Sequence, residues 1–288
     1  MPFVNGAPCC TVGVPMGQIL LLNPRTAEVA VGTLLQNDFD YSSIDQVAHR
    51  PFPMPQTPWF ATQTWHDLLF LHWPVDKAML RAVVPPGLEL DLYNGDAYVA
   101  VTPFHMTNVA PRGVPAIPGL SNMSELNVRT YVTAKGSPGI YFFSLECSSA
   151  FAVGMARTMF HLPYFTARMS VQNQNGWIEY RSRRKNADGD LAIFEGRYRS
   201  VGLPRVAPIG SLEYFLTERY CLFTFDDAFH LYRVDIHHGP WNLYLAEAEV
   251  ATNTMADAAG IRLPAMSPLA HFVKRQDTVI WPLTRVDL

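Results

Sequence analysis

Short strand-like runs separated by turn-forming residues dominate the chain after residue 58, and this pattern constrains the fold more than any other feature. Ala167–Gln172 and Trp177–Arg184 flank Asn175-Gly176, a dipeptide typical of a two-residue β-hairpin turn. Lys135–Gly139, which is rich in glycine, serine and proline, separates two further runs. Strands joined by tight turns pair antiparallel. We therefore predict an α+β protein built mainly from antiparallel β-strands.

Helices are few in this pattern. Val75–Val84 lies between prolines and has apolar residues at helical spacing. Ser149–Phe160 begins with a capping serine. Asn253–Ala259 ends at Gly260, which can adopt the left-handed conformation that ends helices. We predict these three short helices.

A proline-rich segment divides the chain. Residues 51–58 contain four prolines, which exclude a helix or a central strand and predict an extended linker. Residues 1–50 differ in composition from the rest and contain one possible hairpin, Gln18–Leu35. We predict an N-terminal extension over residues 1–50, dispensable for folding, and a main domain over residues 59–288.

The composition limits the classes of function. The chain has 288 residues, of which 49% are hydrophobic, so it can bury a sizeable core. Its net charge of −3 offers no strongly basic surface, so we expect no nucleic-acid partner. Only 16% of the residues are charged and 12% are aromatic. These values favour an apolar interior, a lined pocket or a buried contact between subunits.

The sequence lacks the common signals for export and for metal binding. Its N-terminus has no basic segment before an apolar run, and no run is long enough to span a bilayer. The four cysteines form no CxxC pair, and there is no HExxH motif or glycine-rich phosphate loop. We therefore expect a cytoplasmic protein with no membrane partner, no metal and no cofactor.

Six long strings along the chain carry a resemblance to a known family. They are Trp65-His-Asp-Leu-Leu-Phe-Leu-His-Trp-Pro-Val75, Leu80-Arg-Ala-Val-Val-Pro-Pro-Gly-Leu-Glu-Leu-Asp91, Glu125-Leu-Asn-Val-Arg-Thr-Tyr-Val132, Gly139-Ile-Tyr-Phe-Phe-Ser-Leu145, Glu218-Arg-Tyr220 and Ile236-His-His-Gly-Pro-Trp241. Over about residues 58–283 the chain is similar to the YqjF-like family (DUF2071), a bacterial group of unassigned function. Residues 1–50 fall outside the resemblance.

The segment Phe151–Arg168 resembles the acetoacetate decarboxylase superfamily, where a small-residue helix runs into a Pro-Lys-Lys turn. Pro163 matches the proline, but Tyr164 and Phe165 stand where the two lysines would be. The resemblance implies a closed, cone-shaped antiparallel β-barrel with a buried cavity, and assembly into a homo-oligomer. The Schiff-base chemistry of the decarboxylases needs an activated amine. The four lysines of this chain have no apolar, pocket-like setting, so we expect no Schiff base.

Three polar residues at alternate positions are candidates for a site. Glu125, Asn127 and Arg129 share one face of a predicted strand. That face can be open to solvent. The resemblance matches Glu125 to a pocket glutamate of the decarboxylases, which implies that the face lines the cavity. Arg129 would then hold a substrate carboxylate, and Glu125 would serve as acid or base.

A tyrosine and three histidines complete the candidates. Tyr164 can donate a hydrogen bond into the cavity or fill the space of the replaced lysine. His66 falls near an arginine position of the decarboxylase pocket, and His72 shares its face if the strand is continuous. His161 precedes Tyr164 by three residues. Each histidine can equally be structural.

Two hypotheses about function follow. The first is a cofactor-independent enzyme of the lyase, hydratase or isomerase type, acting on a small oxo-acid or related metabolite. Its catalytic residues would be Glu125, Tyr164 and His66, and its substrate-binding residues Arg129, Asn127, His161 and His72. The alternative is a non-catalytic barrel that binds a small molecule in an apolar cavity.

Overall fold

The computed structural model describes residues 38–117, 121–185 and 191–287. The predicted hairpin Gln18–Leu35 lies outside the described residues. The strands are β1 Ala61–Val75, β2 Glu89–Leu90, β3 Ala97–Pro111, β4 Met123–Ala134, β5 Ser137–Cys147, β6 Tyr164–Thr166, β7 Arg168–Gln174, β8 Trp177–Lys185, β9 Leu191–Arg205, β10 Cys221–Phe225, β11 Leu231–His238, β12 Leu243–Asn253, β13 Leu269–Ile280 and β14 Thr284–Arg285. The α-helices are α1 Lys77–Val83, α2 Ala150–Phe160 and α3 Leu212–Thr217, and Tyr41–Asp45 and Asp257–Ala259 form short 3₁₀ helices.

All of these strands belong to one sheet. In the described chain, their pairings are antiparallel except those of β5 with β10 and with β6. The path β11-β10-β5-β4-β3-β1-β13 returns to its start, because β13 also pairs with β11 at Ile236 and Ile280. Strands β12, β9, β8 and β7 continue the sheet from β13. The prediction of a mainly antiparallel protein with few helices is confirmed.

Both predicted hairpin turns are present in the structure. Asn175 and Gly176 both have positive φ and join β7 to β8, with Gln174 opposite Trp177. Lys135 and Gly136 also have positive φ and join β4 to β5. Residues in this conformation match the twist of a two-residue hairpin. Local sequence therefore sets the register of both hairpins.

The helices follow the predictions in two places. Helix α1 lies inside the predicted range, capped by Asp76, and α2 is capped by Ser149, whose side chain accepts from the Ala152 amide. The predicted helix Asn253–Ala259 is wrong, because its first residue ends β12 and only Asp257–Ala259 turns, as a 3₁₀ helix. Helix α3 was not predicted.

Strand β4 is buried on both of its faces. Leu126 and Val128 are fully buried and share an apolar cluster with Ile178 of β8 and Phe194 of β9. The Tyr180 hydroxyl, also on β8, donates a 2.6 Å hydrogen bond to the backbone carbonyl of Glu125. Strands β8 and β9 therefore cover the apolar face of β4, and the polar face of β4 points away from these two strands.

Residues 38–50 contact the strands. Phe39 packs with Val279 and Trp281, and Arg275 forms an ion pair with Asp38 at 2.6 Å. Arg50 donates a 2.8 Å hydrogen bond to the carbonyl of Ile236 in β11. The compact unit that holds the strands accordingly begins at Asn37. The division at residue 50 stays a prediction, and truncation can test it.

Candidate functional site

A cavity of about 490 Å³ lies against the polar face of β4. Glu125, Asn127 and Arg129 line it together with residues of β1, β3, β5 and α2. In the sheet register, Glu125 lies opposite Phe104 and Asn127 opposite Thr102, and both of these β3 residues also line the cavity. Directly opposite residues of paired strands point to the same face. The alternation of β4 thus brings its three polar residues to one wall.

Glu125 is a buried carboxyl with a raised pKa. Its side chain is only 3% exposed, and burial raises the pKa of Glu125 to about 7. Two hydrogen bonds oppose this rise: Tyr164 donates to Oε2 at 2.6 Å, and the Asn127 amide donates to Oε1 at 3.5 Å. A carboxyl with this pKa can accept or donate a proton near neutral pH.

The end of α2 positions Tyr164. His161 ends the helix in the left-handed conformation, and the chain then enters β6. The Leu145 amide donates to the Pro163 carbonyl at 3.0 Å, and Tyr164 lies beside Leu145 in the parallel register of β5 and β6. Burial raises the pKa of Tyr164 well above its ordinary value, so the phenol remains a hydrogen-bond donor.

Arg129 faces the cavity without a carboxylate partner. It forms no ion pair within the described residues, and its Nε has no hydrogen-bond partner there. The guanidinium lies 5.0 Å from the centre of the Phe70 ring. Burial lowers the pKa of Arg129, although the Tyr131 phenol opposes that effect. Arg129 is partly buried, and a cation withdrawn from water is stabilised when an anion joins it.

Arg219 is a second arginine at the cavity, more deeply buried than Arg129, and the sequence did not indicate it. Its Nη1 lies 2.5 Å from Oδ2 of Asp91, and its guanidinium lies 4.3 Å from the centre of the Phe215 ring. Its charge is therefore compensated, unlike that of Arg129. In the sequence, Arg219 stands out only as part of the string Glu218-Arg-Tyr220, which carries the family resemblance. Nothing in that string indicates that Arg219 lines a cavity.

The structure does not bring His66 or His72 to the cavity wall. Asp67 has a φ of 49°, and the pairing of β1 with β3 shifts register after His66. This bulge reverses the alternation, so Trp65 and Leu68 line the cavity instead. His66 Nε2 lies 2.7 Å from the Thr107 hydroxyl. His72 is fully buried beside the Phe70 ring, 5.7 Å away between ring centres.

His161 also lies away from the cavity lining. Its neighbours Phe160 and Leu162 line the cavity, but its own ring packs 5.4 Å from the Tyr232 ring. The left-handed turn at the helix end separates it from Tyr164. The structure thus groups four of the seven candidates, which are Glu125, Asn127, Arg129 and Tyr164.

The described part of the chain offers no metal site. No group of three His, Cys, Asp or Glu residues there is placed to hold a metal ion. No helix among those residues is long and apolar enough to cross a bilayer. The described side chains that line the cavity include no lysine.

Solved structures similar to this one share its fold. Acetoacetate decarboxylase from Legionella pneumophila superposes with a TM-score of 0.56 and 13% identity, covering 88% of this chain and 98% of that protein. The enduracididine biosynthesis enzyme MppR, solved in complex with pyruvate, superposes with a TM-score of 0.55 and 11% identity, covering 87% of this chain and 99% of MppR. At these identities the likeness establishes the fold alone, which is that of acetoacetate decarboxylase.

Sequence comparison identifies the family. The uncharacterized protein YqjF of Bacillus subtilis is 51% identical over 232 residues, which are 81% of this chain and 95% of YqjF. The model of the DUF2071 family, described as an uncharacterized conserved protein, matches residues 62–277. The resemblance to the YqjF-like family is confirmed, and the chain belongs to the DUF2071 family.

Proposed function

We propose that this protein is an enzyme that binds a small oxo-acid or related carboxylate in the cavity and moves a proton on it, without a cofactor or a Schiff base. Arg129 binds the carboxylate of the substrate. Glu125 acts as the acid or base. One observation carries the proposal: a partly buried arginine with no ion pair among the described residues and a carboxyl of pKa about 7 line the same cavity.

The charge of Arg129 supports a carboxylate ligand. A guanidinium presents paired N–H donors that match the two oxygens of a carboxylate. Arg219 already has such a partner in Asp91, whereas Arg129 has none in the described chain. A bound carboxylate would compensate the charge of Arg129. The Arg129 side chain therefore selects for acids.

Glu125 and its neighbours support proton transfer at the carbon next to the carbonyl. The Glu125 carboxylate takes the proton from that carbon, and the C–H electron pair moves onto the carbonyl oxygen to give an enolate. The second N–H of the Asn127 amide donates a hydrogen bond to this oxygen while Tyr164 stays bonded to Glu125, and Glu125 then returns the proton. Lyase, hydratase and isomerase reactions on oxo-acids can all begin with this step.

The fold is consistent with an oxo-acid ligand. MppR, which shares it, has been solved in complex with pyruvate. We propose that the ring of strands is likewise a closed β-barrel around the cavity. We also propose that the protein assembles as a homo-oligomer, as the resemblance to the decarboxylases implies.

A non-catalytic binding protein is the second candidate. Apolar side chains from β1, β3, β5 and α2 form most of the cavity lining, as expected for a protein that binds an apolar ligand without changing it. This alternative predicts binding of carboxylates without proton exchange.

Proton exchange distinguishes the two candidates. The protein is incubated in D₂O with pyruvate or 2-oxobutanoate, and proton NMR follows deuterium incorporation beside the carbonyl. We expect exchange that Glu125→Gln abolishes and that the surface control Glu247→Gln leaves unchanged. Binding without exchange by the unmodified protein would favour the binding protein. Borohydride treatment with pyruvate should leave the protein mass unchanged, because no Schiff base forms.

A further inference from the structure

The cavity has two chemically different ends. Two of its charged residues are buried, Glu125 at 3% and Arg219 at 6% exposure, and a third, Arg129, is partly buried. Several of its apolar residues are open to solvent, including Phe151 at 67% and Met155 at 46%. Lining residues that reach solvent mark the mouth. The cavity therefore runs from a polar inner end to an apolar mouth.

Helix α2 forms part of this mouth. Phe151, Met155 and Met159 are spaced four residues apart, so they lie along one side of the helix, and all three are exposed while lining the cavity. Val114 and Ile117, which follow β3, are also exposed lining residues. A contiguous exposed apolar surface on a soluble domain is typical of a binding site.

The cavity is larger than a three-carbon acid requires. Pockets of about 300–1,000 Å³ hold drug-sized ligands, and this cavity measures about 490 Å³. An acid the size of pyruvate, held at Arg129, would contact the polar end and leave the apolar wall unused. The ligand that fits the whole cavity has a long apolar part.

We infer that the ligand is an amphiphilic carboxylic acid, with its carboxylate on Arg129 and an extended apolar tail that runs along the cavity toward α2. This inference rests on the proposed function and narrows its substrate class. Four methionines line the cavity, namely Met106, Met123, Met155 and Met159. Methionine is unbranched and adapts to different shapes, so the wall accepts straight-chain and aryl tails.

The test is a binding series in which only the tail changes. Straight-chain 2-oxo acids from pyruvate to 2-oxooctanoate, and phenylpyruvate as the aryl arm, are titrated by calorimetry. Trp65 and Trp241 line the cavity, so their fluorescence provides a second readout. We expect the Kd to fall about fourfold for each methylene group added. Met155→Gln should weaken this dependence, while Leu203→Ser, an exposed apolar residue of β9 outside the cavity, should not.

The outcomes separate this inference from the proposed function. A Kd that does not change with tail length, with pyruvate still bound and exchanged, would overturn the inference alone. Arg129→Met should raise the Kd of every acid in the series by a similar factor of at least tenfold, because it removes only the contact with the carboxylate. Equal affinities in Arg129→Met and the unmodified protein would overturn the carboxylate assignment itself. Equal binding of octanol and 2-oxooctanoate would do the same.

Discussion

The hydroxyl of Tyr164 lies 2.6 Å from Oε2 of Glu125, although the two residues are 39 positions apart in the chain. The contact links the end of α2 to the polar face of β4. It opposes the effect of burial on the pKa of the carboxyl, because a phenol that donates to a carboxylate stabilises the ionised form.

Removal of this hydroxyl should raise the pKa of Glu125. Burial already raises that pKa to about 7, and the hydrogen bond from Tyr164 limits the rise. In Tyr164→Phe the Glu125 carboxyl should therefore titrate at a higher pH, measured by carbon NMR of labelled glutamate. Tyr232→Phe, which removes a phenol bonded to Asp226 away from the cavity, serves as control. An unchanged titration would contradict the contact.

The contribution of two buried carboxyls to the stability of the folded protein should fall as pH rises through neutrality. The Glu125 and Glu146 carboxyls both have a pKa raised to about 7 by burial, from an ordinary value of 4.5. Between these values the folded state binds more protons at these two sites than the unfolded state does, so their contribution to the free energy of unfolding decreases with pH. For Glu125 this amounts to about 3 kcal/mol by pH 8.

Glu125→Gln isolates the Glu125 contribution. The amide is neutral at all pH values, so the free energy of unfolding of the variant, measured by urea unfolding, should rise relative to that of the unmodified protein between pH 5 and pH 8. Identical slopes in the two proteins would show that the carboxyl does not titrate in this range.

Arg129→Met should leave the unliganded protein at least as stable as the unmodified protein while it weakens acid binding at least tenfold. An apolar side chain removes the cost of withdrawing an unpaired charge from water. Arg219→Met is the matched control, because it leaves Asp91 without its ion-pair partner and should destabilise by about 3 kcal/mol. Thermal unfolding without ligand measures both. A large loss of stability in Arg129→Met would mean that its charge is already compensated.

Two truncations locate the boundary of the folded unit. Deletion of residues 1–36 should leave thermal unfolding unchanged, since the strands belong to a unit that begins at Asn37. Deletion of residues 1–50 also removes Phe39 from its cluster with Val279 and Trp281, at a cost of about 2–3 kcal/mol. Equal stability of the two truncated proteins would support the predicted boundary at residue 50.

Local patterns predicted the features that depend on neighbouring residues. Strand alternation places Glu125, Asn127 and Arg129 on one face, and Asn175-Gly176 marks its hairpin. The same rule failed for His66 and His72, because nothing in the sequence indicates that Asp67 adopts a φ of 49° and reverses the alternation.

The spacing of residues along the chain does not predict contacts between distant segments. Arg219 meets Asp91 across 128 positions, and only the folded sheet brings them together. The proximity of Tyr164 to Glu125 followed from the family resemblance and not from spacing. The role of Arg129 depends on its having no ion pair among the described residues, which no sequence pattern encodes.

Strand β4 carries two sets of side chains that evolution can change separately. Leu126 and Val128 pack against β8 and β9. Glu125, Asn127 and Arg129 line the cavity. Substitutions at the odd positions can alter which molecules the cavity accepts while the hydrophobic packing remains intact. The fold can therefore support different chemistries through changes at these three positions of β4. Libraries of variants at the three positions should yield folded proteins with altered ligand preference.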